Sequence, residues 1–113
     1  MIVPVLKNLW SSDLERPNVP EDPENCTIDI QIKIGTSASE AAEDFQLKVV
    51  TPPSLMDENF LWGRHVLVVS EFKWNAVESI IEERVRRCQG EDWKGVSEKL
   101  RRYFYSEYED YNG

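Results

Sequence analysis

Two stretches in the first half of the chain alternate apolar and polar residues with a period of two. In residues 27–34 isoleucine occupies every second position, and polar residues lie between the isoleucines. Residues 44–50 resume the alternation after the small, polar segment GTSASEAA. Because this period places neighbouring side chains on opposite faces of a strand, the two stretches predict an antiparallel hairpin with one buried face and one solvated face.

Two further strands are predicted on either side of this hairpin. Residues 2–9 are mostly aliphatic, and Pro4 suits the start or the edge of a strand because it has no amide donor. Residues 66–69 form an aliphatic run without alternation, which predicts a strand covered on both faces near the centre of the sheet. This run belongs to the segment LWGRHVLVVSEF at residues 61–72, which also contains the only histidine of the chain.

Two helices are predicted in the second half, where the apolar period lengthens. Residues 75–88 carry one apolar stripe, formed by Val77, Ile80, Ile81, Val85 and Cys88. Asn75 and Glu78 have the spacing of a capping box, and Gly90 is placed to end this helix in a left-handed conformation. Residues 92–104 form the second helix, which Asp92 can cap and whose stripe begins at Trp93.

These elements predict an α+β fold in a single domain over residues 1–113. We expect two layers, namely a mostly antiparallel sheet of four or five strands and two C-terminal helices packed on one face of it. A chain of 113 residues is long enough to bury one modest core. The aliphatic run at residues 66–69 is far shorter than the roughly 20 residues that a membrane-spanning helix needs.

The net charge of −8 is unevenly distributed along the chain. Residues 1–72 carry 12 acids and 5 bases, residues 73–102 carry 6 acids and 8 bases, and residues 103–113 carry 3 acids. An acidic surface repels nucleic-acid phosphates and attracts basic proteins, so the charge argues against nucleic-acid binding and favours a basic protein partner. The same charge can also serve only to keep the protein soluble.

Two acidic segments are candidates for protein recognition. Residues 11–25, here called the acidic loop, contain three prolines and five carboxylates: Asp13, Glu15, Glu21, Asp22 and Glu24. Residues 103–111, here called the acidic tail, interleave tyrosines with carboxylates, and their candidate contact residues are Tyr105, Glu107, Tyr108, Glu109, Asp110 and Tyr111. Tyrosine combines a large contact area with a polar tip, which suits protein interfaces. A last segment that docks on the sheet explains the tail equally well.

No pattern in the chain indicates catalysis, a metal site or a bound cofactor. His65 has no nucleophile near it in sequence, and a structural hydrogen-bonding role is favoured for it. Cys26 and Cys88 are too few for a four-ligand zinc site, and we expect both to be free thiols. The first ten residues, MIVPVLKNLW, lack the features of a signal peptide, so a cytoplasmic location is expected.

Several of these segments resemble the immunity protein 8 family of bacterial polymorphic toxin systems. The resemblance is carried by residues 62–65 (WGRH), the aliphatic strand that follows up to Phe72, the helix to Cys88, then Gly90 and Trp93, and the tyrosine-rich acidic end. It is strongest over residues 61–93, and residues 20–34 fit the same pattern more loosely. These are packing and turn motifs rather than catalytic ones.

The resemblance implies a cytoplasmic antidote, not an enzyme, that neutralises a cognate bacterial toxin by direct stoichiometric binding. It implies no cofactor, small-molecule substrate, nucleic acid or membrane partner. Because many such toxins are nucleases with basic clefts, we expect the partner to be a basic toxin C-terminal domain that the acidic loop and the acidic tail contact. The alternative is an acidic adaptor or nucleic-acid mimic that binds a basic host protein.

Overall fold

The computed structural model describes residues 1–56 and 65–106 and has the predicted α+β architecture. The elements in chain order are β1 (Val5–Trp10), β2 (Thr27–Gly35), β3 (Ala42–Val50), α1 (Pro52–Met56), β4 (Val66–Val68), α2 (Trp74–Arg86), α3 (Trp93–Leu100) and β5 (Tyr105–Ser106). Five strands form one mostly antiparallel sheet. Within the described residues, no helix is long and apolar enough to cross a membrane.

The predicted hairpin is the centre of the sheet. β2 and β3 pair along their whole length, from Thr27 opposite Val50 to Gly35 opposite Ala42. β1 lies antiparallel on the other side of β2. The alternating isoleucines of β2 are all buried, whereas Asp29 and Lys33 between them are exposed. The expected division into a buried and a solvated face is therefore confirmed.

The far edge of β3 is shared by two short strands. β4 pairs in parallel with the last three residues of β3, and β5 pairs antiparallel with Phe45 and Gln46. The prediction that residues 66–69 form a central strand is therefore wrong, because β4 is a three-residue edge strand and Val68 is 52% exposed. An aliphatic run without alternation also occurs where a strand is short and partly covered.

The helices cover one face of the sheet, as predicted. A single apolar cluster joins the inward residues of β2 and β3 to α2, α3 and the segments beside them. Its fully buried members include Ile30, Phe45, Val77 and Val96. Ile80 is the exception in the predicted stripe of α2, because 45% of it is exposed and it lies on the outer side of the helix.

The ends of α2 differ from the predicted ones. The helix begins at Trp74 after the N-cap Lys73, which makes no side-chain capping hydrogen bond, so Asn75 and Glu78 do not form a capping box. Gly90 has no positive φ and instead exchanges two backbone hydrogen bonds with Ile2. The predicted cap of the next helix is confirmed, since the Asp92 carboxylate accepts a hydrogen bond from the Gly95 amide at 2.8 Å.

A bulge in β1 determines which of its side chains face solvent. Leu6 lies opposite Ile34 and Leu9 lies opposite Ile32, so both leucines point to the buried face although they are three residues apart. The register shifts between Leu6 and Asn8, which inserts one extra residue. As a result Trp10 lies opposite the outward-facing residue 31 and is 46% exposed.

Candidate functional site

The acidic loop is attached to the sheet where β1 ends. β1 pairs with β2 only as far as residue 31, which leaves the preceding backbone of β2 without a strand partner on that side. The Ser11 hydroxyl donates a hydrogen bond to the Asp29 carbonyl at 2.5 Å, and the Asp29 amide donates one to the Asp13 carboxylate at 2.9 Å. Two loop side chains thus satisfy backbone groups that a strand would otherwise pair.

A second attachment joins the acidic loop to the start of α2. The Arg16 guanidinium donates hydrogen bonds to Asn75 Oδ1 at 2.8 Å and to Glu78 Oε2 at 3.0 Å. It also lies 5.6 Å from the ring centroid of Trp74, whose indole nitrogen donates to the Asn18 carbonyl at 2.6 Å. The two helix residues expected to cap α2 therefore bind the loop arginine instead.

The last part of the loop is held by backbone contacts. The Phe72 amide donates a hydrogen bond to the Pro23 carbonyl at 2.8 Å, and the Asp22 carboxylate accepts one from the Glu24 amide at 3.2 Å. Cys26, where the chain enters β2, exchanges hydrogen bonds with Thr51. The loop is consequently attached at both ends and in the middle.

All five acidic residues of the loop are exposed. Asp13 and Asp22 use one carboxylate oxygen for a backbone amide, whereas Glu15, Glu21 and Glu24 make no side-chain hydrogen bond or ion pair within the described residues. With Arg16 as its only base, the loop has a net charge of −4, and Arg16 is already paired with a glutamate of α2. The result is a fixed acidic surface at one end of the helix layer.

Only the beginning of the acidic tail lies among the described residues. Tyr105 belongs to β5 and is half-buried, with its ring centroid 6.0 Å from that of His65. The start of the tail therefore docks on the sheet, as one of the two interpretations predicts. The remaining candidate contact residues, Glu107, Tyr108, Glu109, Asp110 and Tyr111, lie outside the described part of the chain.

On the side of the sheet that faces away from the helices, a row of described side chains connects the loop to the beginning of the tail. Strand pairing places Trp10 opposite Gln31, Gln31 opposite Gln46, and Gln46 opposite Tyr105. These four residues form one row across β1, β2, β3 and β5, which spans about 14 Å because neighbouring strands lie about 4.8 Å apart. We call the surface around this row the open sheet face. The loop joins the row where the Ser12 amide donates a hydrogen bond to Gln31 Oε1 at 3.3 Å.

The charges of the open sheet face balance one another. Asp29 and Lys48 lie opposite each other on β2 and β3, and Lys33 forms an ion pair with Asp44 at 2.9 Å. The face thus differs from the acidic loop beside it, which has a large excess of carboxylates. Sequence reasoning missed the exposure of Trp10, because regular alternation from Leu6 would place residue 10 on the buried face.

The groups with potential for chemistry have structural partners. His65 Nε2 donates a hydrogen bond to the Arg101 carbonyl at 2.8 Å, which confirms the structural role predicted for this histidine. Burial raises the pKa of the Cys26 thiol, and the nearby negative charge of Asp22 raises it further. Burial also raises the pKa of the Cys88 thiol. Both cysteines are free, as predicted, and protonated thiols are weak nucleophiles.

Neither the recess in the surface nor the acidic, histidine and cysteine side chains of the described residues form a reactive site. A recess of about 350 Å³ lies beside Trp93 and Glu43, but the Glu43 carboxylate already accepts hydrogen bonds from the Trp93 indole and the Ser97 hydroxyl, both at 3.1 Å. Among residues 1–56 and 65–106, no three or more His, Cys, Asp or Glu side chains are grouped so that they could hold a metal ion.

Comparison with known proteins shows the family of the chain. The family model described as immunity protein 8 matches residues 5–111 of the 113. The chain belongs to the immunity protein 8 family. The match includes the acidic loop, all five strands and both long helices, and it confirms the resemblance seen in residues 61–93. No curated protein and no solved structure matches the chain.

Membership of the immunity protein 8 family implies that this protein protects against a toxin. Families of immunity proteins generally act without catalysis, which agrees with the structural roles found for His65 and the two cysteines. The partner of an immunity protein 8 family member is accordingly a cognate toxin.

Proposed function

We propose that this immunity protein neutralises its toxin by binding it directly in a one-to-one complex, and that the bound part is a basic toxin C-terminal domain. The family match over residues 5–111 supports the immunity role over a general acidic adaptor. The acidic loop supports a basic partner, because it presents five exposed carboxylates from a backbone attached at several points. A nuclease toxin fits this charge, since its cleft must attract phosphates.

The attachment of the acidic loop to the sheet and to α2 is the observation that best supports a binding role for this loop. Ordering a mobile segment on binding reduces affinity, whereas a segment that is already held in place loses little entropy. Arg16 and Asp13 hold the loop against α2 and β2. Glu15, Glu21 and Glu24 take no part in these attachments, so their carboxylates remain exposed and available to a partner. These three glutamates are the side chains that we assign to electrostatic contact with the toxin.

The charge of the loop is expected to act mainly on the rate of association. Complementary charge steers two proteins together and can raise the association rate constant to about 10⁸–10⁹ M⁻¹s⁻¹ at low salt, an effect that salt weakens. The acidic tail extends the same proposal, with Tyr105, Glu107, Tyr108, Glu109, Asp110 and Tyr111 as its contact residues. The start of the tail at Tyr105 lies across the open sheet face from Trp10 and the loop, so one toxin surface can contact both acidic segments.

The first experiment tests whether a complex forms. The toxin domain encoded beside the immunity gene is co-expressed with this chain, and the pair is purified through a tag on one partner. A one-to-one complex and restored growth are expected. Absence of both a complex and growth rescue would refute the proposed function.

A second experiment tests the loop with a matched control. Changing Glu15, Glu21 and Glu24 to glutamine removes three charges and leaves every internal hydrogen bond of the loop in place. The control variant changes the exposed Glu82, Glu91 and Glu98 of the helix layer to glutamine. Stopped-flow association with an inactive toxin should be slower and less salt-dependent for the loop variant only. Equal rates for the two variants would remove the loop from the interface.

The tail is tested by charge reversal. Replacing Glu107, Glu109 and Asp110 with lysine should weaken binding and reduce protection in the co-expression assay, because like charges would then face a basic toxin. Protein levels are checked by immunoblot, so that a loss of protection is not mistaken for a loss of protein. Unchanged protection at equal levels would exclude the tail from the interface.

A further inference from the structure

The inference concerns Trp10, and it rests on the proposed function, because it assumes that the chain binds a basic toxin. Tryptophan is highly buried on average in folded proteins, and Trp74 is only 6% exposed here. Trp10 is 46% exposed and lies on the open sheet face, away from the helices. Nearly half of this large apolar side chain therefore remains in contact with water, and tryptophan is one of the residue types enriched among the residues that dominate protein interfaces.

The exposure of Trp10 follows from the backbone rather than from a lack of space in the core. The bulge at Lys7 keeps Leu6 and Leu9 on the buried face and so turns Trp10 outwards. Without the extra residue, Trp10 would share the buried face with Leu6. Bulges commonly redirect a side chain beside a functional site. The strand is therefore built in a way that presents this indole to solvent.

The surroundings of Trp10 indicate what it would bind. On one side it is followed directly by the acidic loop, which has a net charge of −4. On the open sheet face it lies opposite Gln31 and diagonally across from Asp29 and Lys33. The charges of these two residues are balanced by Lys48 and Asp44, so the excess negative charge beside Trp10 comes from the acidic loop. A cation over an indole is attracted by the ring electrons, and carboxylates at the rim strengthen the attraction. Arg16 over Trp74 makes a contact of the same type within the protein, at 5.6 Å.

We propose that Trp10 is the aromatic anchor of the toxin-binding surface and that it receives an arginine or lysine side chain of the toxin. The acidic loop forms the charged rim of this contact, and Gln31 and Gln46 offer amide groups along the open sheet face. The matching partner surface carries a protruding basic side chain at its centre and further positive charge on the side that meets the loop. The anchor and the rim have different kinetic effects, because a buried aromatic contact slows dissociation whereas the rim speeds association.

The test measures binding of the full chain to a catalytically inactive form of the toxin domain. Trp10→Ala should weaken the affinity by roughly 30-fold, the size typical of a dominant interface residue, and most of the loss should appear in the dissociation rate. Trp10→Phe keeps an aromatic ring and should lose roughly tenfold or less. The salt dependence of association should stay unchanged in both variants, in contrast to the loop variant described above.

Ile80→Ala provides the matched control, because Ile80 is 45% exposed and lies on the helix layer away from the open sheet face. Its affinity should remain within about twofold of the wild type, as for a substitution outside the interface. Thermal unfolding of all three variants checks whether each of them is folded. If Trp10→Ala does not fold, the affinities of Trp10→Phe and Trp10→Gln for the toxin are compared instead. Only Trp10→Phe keeps an aromatic ring, so it should bind more tightly than Trp10→Gln.

The outcomes separate this inference from the proposed function. If the wild-type chain forms no complex with the toxin, the proposed function fails and the inference fails with it. If the wild type binds but Trp10→Ala and Trp10→Gln bind equally well, the inference is overturned while the proposed function stands. A dimer of the free wild-type chain that Trp10→Ala converts to a monomer would also overturn it, because a second copy would then be the occupant of this surface.

Discussion

Replacing Ile30 and Leu67 with alanine, one at a time, tests the order of strands in the sheet. Both changes remove three carbon atoms from an aliphatic side chain. Ile30 is fully buried in β2, whereas Leu67 belongs to the edge strand β4 and is only partly buried against the core. The sequence alone favours the opposite order, because it predicts residues 66–69 as the central strand.

The expected magnitudes follow from burial. Three buried carbon groups contribute about 2.4 kcal/mol of transfer free energy at about 0.8 kcal/mol each, and the cavity left behind raises the cost of Ile30→Ala to about 3–4 kcal/mol. Leu67→Ala should cost about 1–2 kcal/mol, because water can reach the space that the side chain vacates and part of the leucine is already hydrated.

Urea denaturation followed by circular dichroism measures both free energies of unfolding. The denaturant slope should be the same for the two variants, so that the difference in midpoint reports stability. If Ile30→Ala is too unstable to fold, Ile30→Val should still cost about 0.5–1.5 kcal/mol. A cost for Leu67→Ala equal to or above that for Ile30→Ala would refute the placement of β2 at the centre of the sheet.

Three further predictions concern the loop attachments and a buried thiol. Arg16→Ala should lower the free energy of unfolding by only about 1 kcal/mol, since its pair with Glu78 is partly exposed, but amide hydrogen exchange in the acidic loop should become much faster. Asp13→Ala should cost about 1 kcal/mol in urea denaturation because a backbone amide loses its acceptor, whereas Asp13→Asn keeps an acceptor and should match the wild type. Burial raises the pKa of the Cys88 thiol in the folded state above its ordinary value of 9.0. As the pH rises past 9.0, the thiol therefore loses its proton in the unfolded state before it does so in the folded state. This difference contributes to the free energy of unfolding below that pH, and the contribution is lost as the pH rises further. The unfolding free energy of Cys88→Ala, measured across pH 8 to 10 or thereabouts, should therefore fall less steeply than that of the wild type, and parallel curves would contradict the reasoning.

The hairpin and the helices could be predicted because their patterns are local. The isoleucines of residues 27–34 repeat with the period of a strand, and the stripe from Val77 to Cys88 repeats with the period of a helix. Asp92 is predictable as a cap because its side chain acts on an amide only three residues away. These elements depend on interactions within a few residues, which the sequence displays directly.

The features that were predicted wrongly depend on distant partners. Asn75 and Glu78 have the spacing of a capping box, but Arg16, some sixty residues earlier, takes both side chains. Gly90 pairs with Ile2 at the other end of the chain instead of ending α2 in a left-handed conformation. Spacing along the sequence cannot reveal which of two competing partners lies nearer in the fold.

The candidate site was accessible from sequence only in part. The composition of residues 11–25 indicates the five loop acids, and the structure shows that Asp13 and Asp22 also hold the backbone. Trp10 was not recognised, although the spacing of three between Leu6 and Leu9 is a signal that the strand does not alternate regularly. A bulge of one residue reverses the orientation of everything after it, so its position decides which side chain meets a partner.

The division of the far edge of β3 between β4 and β5 has a consequence for the order of folding during synthesis. β1, β2 and β3 are consecutive, and they can pair once residue 50 has emerged from the ribosome. The edge of β3 nevertheless stays incomplete until Tyr105 and Ser106 arrive, about sixty residues later, and Ser106 is fully buried when they do. Apolar strands with an unpaired edge are prone to aggregate, so the sheet stays vulnerable in the nascent chain until nearly the last of its residues have been made.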